Sequence, residues 1–171
     1  MHARRAAWVL SLALCGCTPT YDWRDVRPDG AALTALFPCR PQHLSRKTDV
    51  AGLRLPMQVN VCDTPKETLA VGFLDVEHPG QVAGALESLR AAVQLNFAAT
   101  QVQVAPLRVP GMTPNPNAVL VSMHGVSARG VPVGVTAAFF ARGLRVYQAT
   151  VFGGEVDAEL LQTFFAGLRL Q

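Results

Sequence analysis

The residues with the most pointed chemistry are four cysteines, Cys15, Cys17, Cys39 and Cys62. Thiols pair as disulfides, ligate soft metals, attack carbonyls or accept lipid, and their spacing decides among these. Cys39 and Cys62 flank a turn-like segment, Asp49-Val50-Ala51-Gly52. A hairpin centred between Val50 and Ala51 sets the two cysteines opposite each other, because both lie equally far from that centre. Cross-strand positions are within disulfide reach. Closing such a ring contributes roughly 3–3.5 kcal/mol through chain entropy. The alternatives are a reactive Cys39 with His43 as its base, or a Cys/His metal site. No third or fourth ligand stands at metal spacing, and no CxxC follows residue 17.

Other constellations are sparse. Gly125-Val126-Ser127-Ala128-Arg129 lacks the second glycine of a G-x-S-x-G elbow, so Ser127 reads as a turn serine. HExxH, the P-loop and G-x-G-x-x-G are absent. His43, His78 and His124 are isolated, and they read as a strand-edge residue, a helix-start residue and a strand residue on a polar face. Asp63, Asp75 and Glu77 fall near strand ends. Asp75 and Glu77 point the same way if their strand continues, although a solvated loop is the plainer reading. No catalytic residue, metal ligand or cofactor is assigned, and the chain reads as a non-enzyme.

The leader is more specific. Arg4 and Arg5 precede an apolar run over residues 6–14, and Leu14-Cys15-Gly16-Cys17 follows. That is the layout of a secretory signal. It resembles the lipobox of bacterial lipoproteins, with Leu14 at −3, Gly16 at −1 and Cys17 at +1. Cys15 at −2 departs from the commoner small residues. Plain signal cleavage after Gly16 is disfavoured by the bulky Leu14. The apolar run up to Cys17 falls short of the roughly 20 residues a spanning helix needs. The resemblance implies diacylglycerol on the Cys17 sulfur, cleavage just before it, and acylation of the new amine. Several acyl chains at about 0.8 kcal/mol per buried CH₂ make a stable anchor. Thr18 stands where Asp favours inner-membrane retention, so the resemblance implies the periplasmic face of the outer membrane. An oxidising compartment of this kind suits a Cys39–Cys62 disulfide.

Stepwise, the chain then divides into a signal peptide over 1–16, a lipidated cysteine and tether over 17–29, and one globular domain over 30–171. The chain has 171 residues, half of them apolar and 16% charged, which describes a packed domain rather than a disordered one. Losing Arg4 and Arg5 lowers the formal charge from +3 to +1. No basic cluster remains, which argues against nucleic acid as a partner. Tyr21 and Trp23 suit a clasp packed on the domain.

Asp29 reads as the cap of a short helix over 31–37 that Pro38 stops. A weak edge strand follows near 44–48. Residues 53–61 alternate, with Leu53, Leu55, Met57, Val59 and Val61 on one face, and Pro56 marks an edge or bulge. Leu69, Val71 and Phe73 give a third strand whose small residues, Ala70 and Gly72, invite close packing on the opposite face. Pro79 suits a first helical position, and Val82, Leu86, Leu89 and Val93 recur at helical spacing up to about Asn96. A strand from Val102, a Pro-rich loop over 110–117, and strands over 118–126, 131–141 and 144–152 follow as a meander. Asp157 caps a last helix carrying Leu160, Leu161, Phe164, Phe165 and Leu168.

The expected architecture is α+β, in the order α-βββ-α-ββββ-α, with helices packed on an antiparallel sheet. It resembles the PsbP-like fold shared by some envelope lipoproteins such as DcrB. That likeness rests on element order, Phe37-Pro38, and Phe164-Phe165-Ala166-Gly167-Leu168. It implies a non-enzymatic envelope lipoprotein that is structural or interacts with an envelope protein, anchored to the membrane through Cys17. The alternative is a module binding a small molecule or lipid, because Ala70, Gly72, Gly134, Ala137 and Ala138 would leave a cleft over the sheet.

Overall fold

A computed structural model describes residues 21–171. Cys17 and the lipobox lie outside the described residues. In chain order the elements are β1 (Arg24–Val26), β2 (Leu33–Phe37), β3 (Gln42–Val50), β4 (Leu53–Asp63), β5 (Glu67–Asp75), α1 (Gln81–Asn96), β6 (Thr100–Pro106), β7 (Val119–Val126), β8 (Pro132–Arg142), β9 (Arg145–Gly153), α2 (Ala158–Ala166) and β10 (Arg169–Leu170). A seven-stranded antiparallel sheet runs β3-β4-β5-β9-β8-β7-β6, and a three-stranded one runs β1-β2-β10.

The large sheet is apolar on both faces, and a different layer covers each. Leu69, Val71, Phe73, Phe140, Tyr147 and Val151 face one core with the small sheet and with Leu160 and Phe164 of α2. Met57, Leu74, Val121, Val135, Phe139 and Val146 face a second core with Val82, Leu86, Leu89 and Val93 of α1. No helix among the described residues is long and apolar enough to cross a membrane.

The chain is α+β with antiparallel sheets, but the element order needs correcting at both ends: β1 and β2 stand where one helix was expected, and β10 follows the last helix. Residues 33–37 form a strand, not the expected helix. Gly30 and Ala32 take positive φ, which breaks helical geometry at its root. Leu33, Ala35 and Phe37 are buried in the first core, while β1 and β10 supply the pairing on either side. Helical propensity in Ala-Leu-Thr-Ala-Leu yields here to tertiary burial. Within the segment read as tether, Tyr21, Trp23 and Val26 lie against the first core, in keeping with the clasp expected of Tyr21 and Trp23. Pro79 also sits outside α1, one residue before the Gly80 cap.

The β3–β4 hairpin is shifted by one residue. Val50 pairs with Leu53, so the centre falls between Ala51 and Gly52. Pairing stops at Gln42, which leaves Cys39 in the bend after β2 rather than directly opposite Cys62. The two cysteines nevertheless form a disulfide, with Cα atoms 5.9 Å apart. Its role differs from a hairpin staple, because it ties the end of β2 in the small sheet to β4 in the large one.

Candidate functional site

The small residues of β5 lie in the floor of an apolar cleft. Gly72 leaves no room for a side chain: a Cβ there would lie 2.3 Å from Met57 Cε, which fills the space from β4. Ala70 stands next along the strand, half-buried. With Met57 filling the space over Gly72, the small side chain of Ala70 keeps the sheet surface low where α1 ends. The result is a cleft of about 500 Å³ between the C-terminal end of α1 and strands β3, β4, β5 and β9. That volume is in the range of small-ligand sites.

The cleft floor runs in rows across the strands. Leu44, Val59, Gly72 and Gln148 make one row, and Val61, Ala70 and Thr150 make the next. Val93, Asn96 and Phe97 of the helix end form the wall, and Phe97 packs against Phe152 with ring centroids 5.0 Å apart. A main-chain bond fixes that wall, since Val126 N–H donates to the Phe97 carbonyl at 2.6 Å. Gly125 permits this approach, because a Cβ there would lie 2.4 Å from the same oxygen. Polar lining groups are mostly satisfied within the protein: Gln148 Nε2 donates to Thr150 Oγ1 at 3.0 Å, and Thr68 Oγ1 donates to Asp63 Oδ1 at 2.6 Å. Arg46 is the one charged lining residue.

Of the small residues expected to shape a cleft, Ala70 and Gly72 do so. Ala137 and Ala138 are fully buried in the two cores. Gly134 borders a separate hollow beside His124 and Val156. Sequence reasoning missed Arg46, Phe97 and Phe152 as cleft residues. The alternation of Leu44 and Arg46 along one strand face was the available signal for Arg46.

Two other concavities are chemically different. A larger depression of about 1030 Å³ is lined by the continuous segment 104–119 alone, with no floor from the rest of the sheet. A smaller hollow gathers Tyr21, Lys66, Glu67, Glu155 and Asp157. Glu67 there is 2% exposed. Its Oε2 accepts from Thr64 Oγ1 at 2.8 Å and Tyr21 Oη at 3.4 Å, while Oε1 has no partner. Burial, with the Glu67 and Asp157 charges, pushes the Tyr21 phenol above its ordinary value. Asp157 is occupied as the cap of α2, accepting from Glu159 and Leu160 N–H. Of the three carboxylates here, Glu67 is held by Thr64 and Tyr21 and Asp157 by the start of α2.

The remaining candidates are dispersed. Cys39 is consumed in the disulfide, so it is no nucleophile for His43 to activate. His43 lies on β3 and His124 on β7, five strand spacings apart, or about 24 Å. His78 lies in the loop before α1. No group of three or more metal-ligating side chains assembles among the described residues. Asp75 does not pair with Glu77; both its oxygens accept from Arg145, at 2.7 and 2.6 Å. That ion pair holds the Arg145 guanidinium above its ordinary value, against the opposing effect of burial. Arg145 also donates to the Gly30 carbonyl and lies over the Phe73 ring, which secures the start of the small sheet. Ser127 Oγ accepts from Val131 N–H at 3.2 Å, as a turn serine does.

No protein-family model matches the chain, and no curated protein matches it in sequence.

Proposed function

We propose that the chain is a non-enzymatic lipoprotein of the bacterial envelope whose domain binds a small apolar molecule in the cleft beside α1. Cys17 carries the lipid and holds the domain on the periplasmic face of the outer membrane. The leader pattern supports the anchor. The observation that carries the binding role is the apolar floor over Ala70 and Gly72, about 500 Å³ in volume and walled by the fixed end of α1. Antiparallel strands covered by a helix on each face, together with Phe37-Pro38 and the closing Phe164–Leu168 segment, support a PsbP-like reading of the fold; the strand at 33–37 departs from it.

Binding is tested with a neutral fluorescent probe, N-phenyl-1-naphthylamine, on residues 18–171. Saturable binding that Ala70→Phe abolishes is expected. An unbound probe, or one that binds the variant equally, contradicts the reading. The anchor is tested separately: a palmitate analogue should label the full chain and leave Cys17→Ser unlabelled, and equal labelling of both contradicts it.

A protein partner is favoured by a different observation. Edge strand β6, Thr-Gln-Val-Gln-Val-Ala-Pro, carries no charge and exposes Val102 and Val104, whereas the opposite edge, β3, carries His43, Arg46, Lys47 and Asp49. Charges on an edge deter strand addition, and β6 lacks them. A partner captured from envelope membranes through this edge is lost with Val104→Lys; capture that is indifferent to the substitution removes the reading.

A further inference from the structure

The cleft has two chemically unlike ends. At its outer corner, on edge strand β3, stands Arg46. At the opposite corner, three strands away and about 14 Å across the sheet, Phe152 meets Phe97. Between them the floor is Val59, Val61, Gly72 and Ala70. Arg46 is exposed, and its Nη2 lies 4.0 Å from the Sδ of its cross-strand partner Met57, at the edge of this floor. The ion pairs among the described residues are Arg24 with Asp22 and Arg145 with Asp75, and Arg46 is in neither. A cation beside an apolar trough complements a molecule with an anion at one end and hydrocarbon at the other. The fork of the guanidinium matches a carboxylate in particular.

We infer that the cleft ligand is a single-chain anionic amphiphile, of the fatty-acid class, with its carboxylate on Arg46 and its tail running over Ala70 toward Phe97 and Phe152. This rests on the cleft being a binding site, as proposed above. The half-exposed positions of Val61 and Ala70 leave the tail one side open to solvent. The carboxylate remains at the sheet edge, where it keeps part of its hydration. Burial of the tail then governs affinity and the charge governs selectivity.

The experiment is competition against bound N-phenyl-1-naphthylamine on residues 18–171, using straight-chain carboxylates of increasing length, dodecyltrimethylammonium and dodecanol. Displacement by the carboxylates is expected to tighten by up to about fourfold per added CH₂ until the trough is filled, then to level off. Dodecanoate is expected to bind at least about tenfold more tightly than the cationic and neutral compounds with twelve-carbon chains. Arg46→Gln, on an exposed strand position, is expected to remove that preference, so that the three head groups compete equally on the variant, with the melting temperature unchanged. A probe that binds while all three head groups compete equally, or an Arg46→Gln protein that keeps the preference, overturns the anionic assignment and leaves the cleft standing. A probe that fails to bind the wild type overturns the cleft itself.

Discussion

At the scale of single residues, Tyr147 shows how much one buried polar atom holds. Its side chain is 1% exposed, stacks on Phe140 at 5.1 Å, and donates to the Ala31 carbonyl at 2.6 Å. That bond fixes the chain entering β2. Burial raises the phenol above its ordinary value, an effect that Arg145 partly opposes. A raised folded value means that the native state holds its proton more tightly than the unfolded chain. The stabilisation is therefore complete below about pH 10 and is lost as pH climbs through the folded value. Tyr147→Phe should cost about 1–3 kcal/mol at neutral pH, because the Ala31 carbonyl loses its donor. It should also flatten the alkaline fall in stability; Tyr21, raised in the same direction, keeps part of that fall. Urea unfolding between pH 8 and 11 measures both effects. Ala51 makes the complementary case. Its φ of 50° and that of Gly52 at 80° form a two-residue turn with both centres left-handed. Ala51→Asn should raise stability by about 1 kcal/mol, read as a higher denaturant midpoint. The turn itself was legible in the sequence, but its register was not, because Ala51 gives no local sign of positive φ.

At the scale of elements, periodicity revealed whatever had one buried face. α1, the meander β7–β8–β9 and α2 with its Asp157 cap follow directly from spacing and cap chemistry. Asp157→Ala should lower stability by about 1 kcal/mol, measured by denaturant unfolding. β2 escaped because its Leu33, Thr34 and Ala35 are all buried, so the alternation that marks a half-buried strand is blunted. β10 escaped because two residues carry no period. The disulfide was legible from its pairing, but its task was not: only the placement of β2 as a strand reveals that Cys39–Cys62 joins the two sheets. Cys39→Ser should therefore cost roughly 3 kcal/mol in unfolding free energy. It should also raise amide exchange in β1 and β2 more than in β7 and β8.

At the scale of the whole molecule, one apolar sheet has two unequal covers. The small sheet and α2 close one face, with the Arg145–Asp75 pair and Tyr147 securing the entry to β2. α1 covers the other face only as far as Phe97, and the uncovered part of that sheet is the cleft. The small residues Ala70 and Gly72 pointed to this cleft in sequence, while its wall and its cation came from elements distant in the chain, which no local pattern joins. The most direct measurement is an NMR titration of isotopically labelled residues 18–171 with dodecanoate. Saturable shifts confined to Leu44, Arg46, Val59, Ala70, Val93 and Phe97 are the expected result. Shifts gathered instead along residues 104–119 or around Glu67, or none at all, would contradict the account.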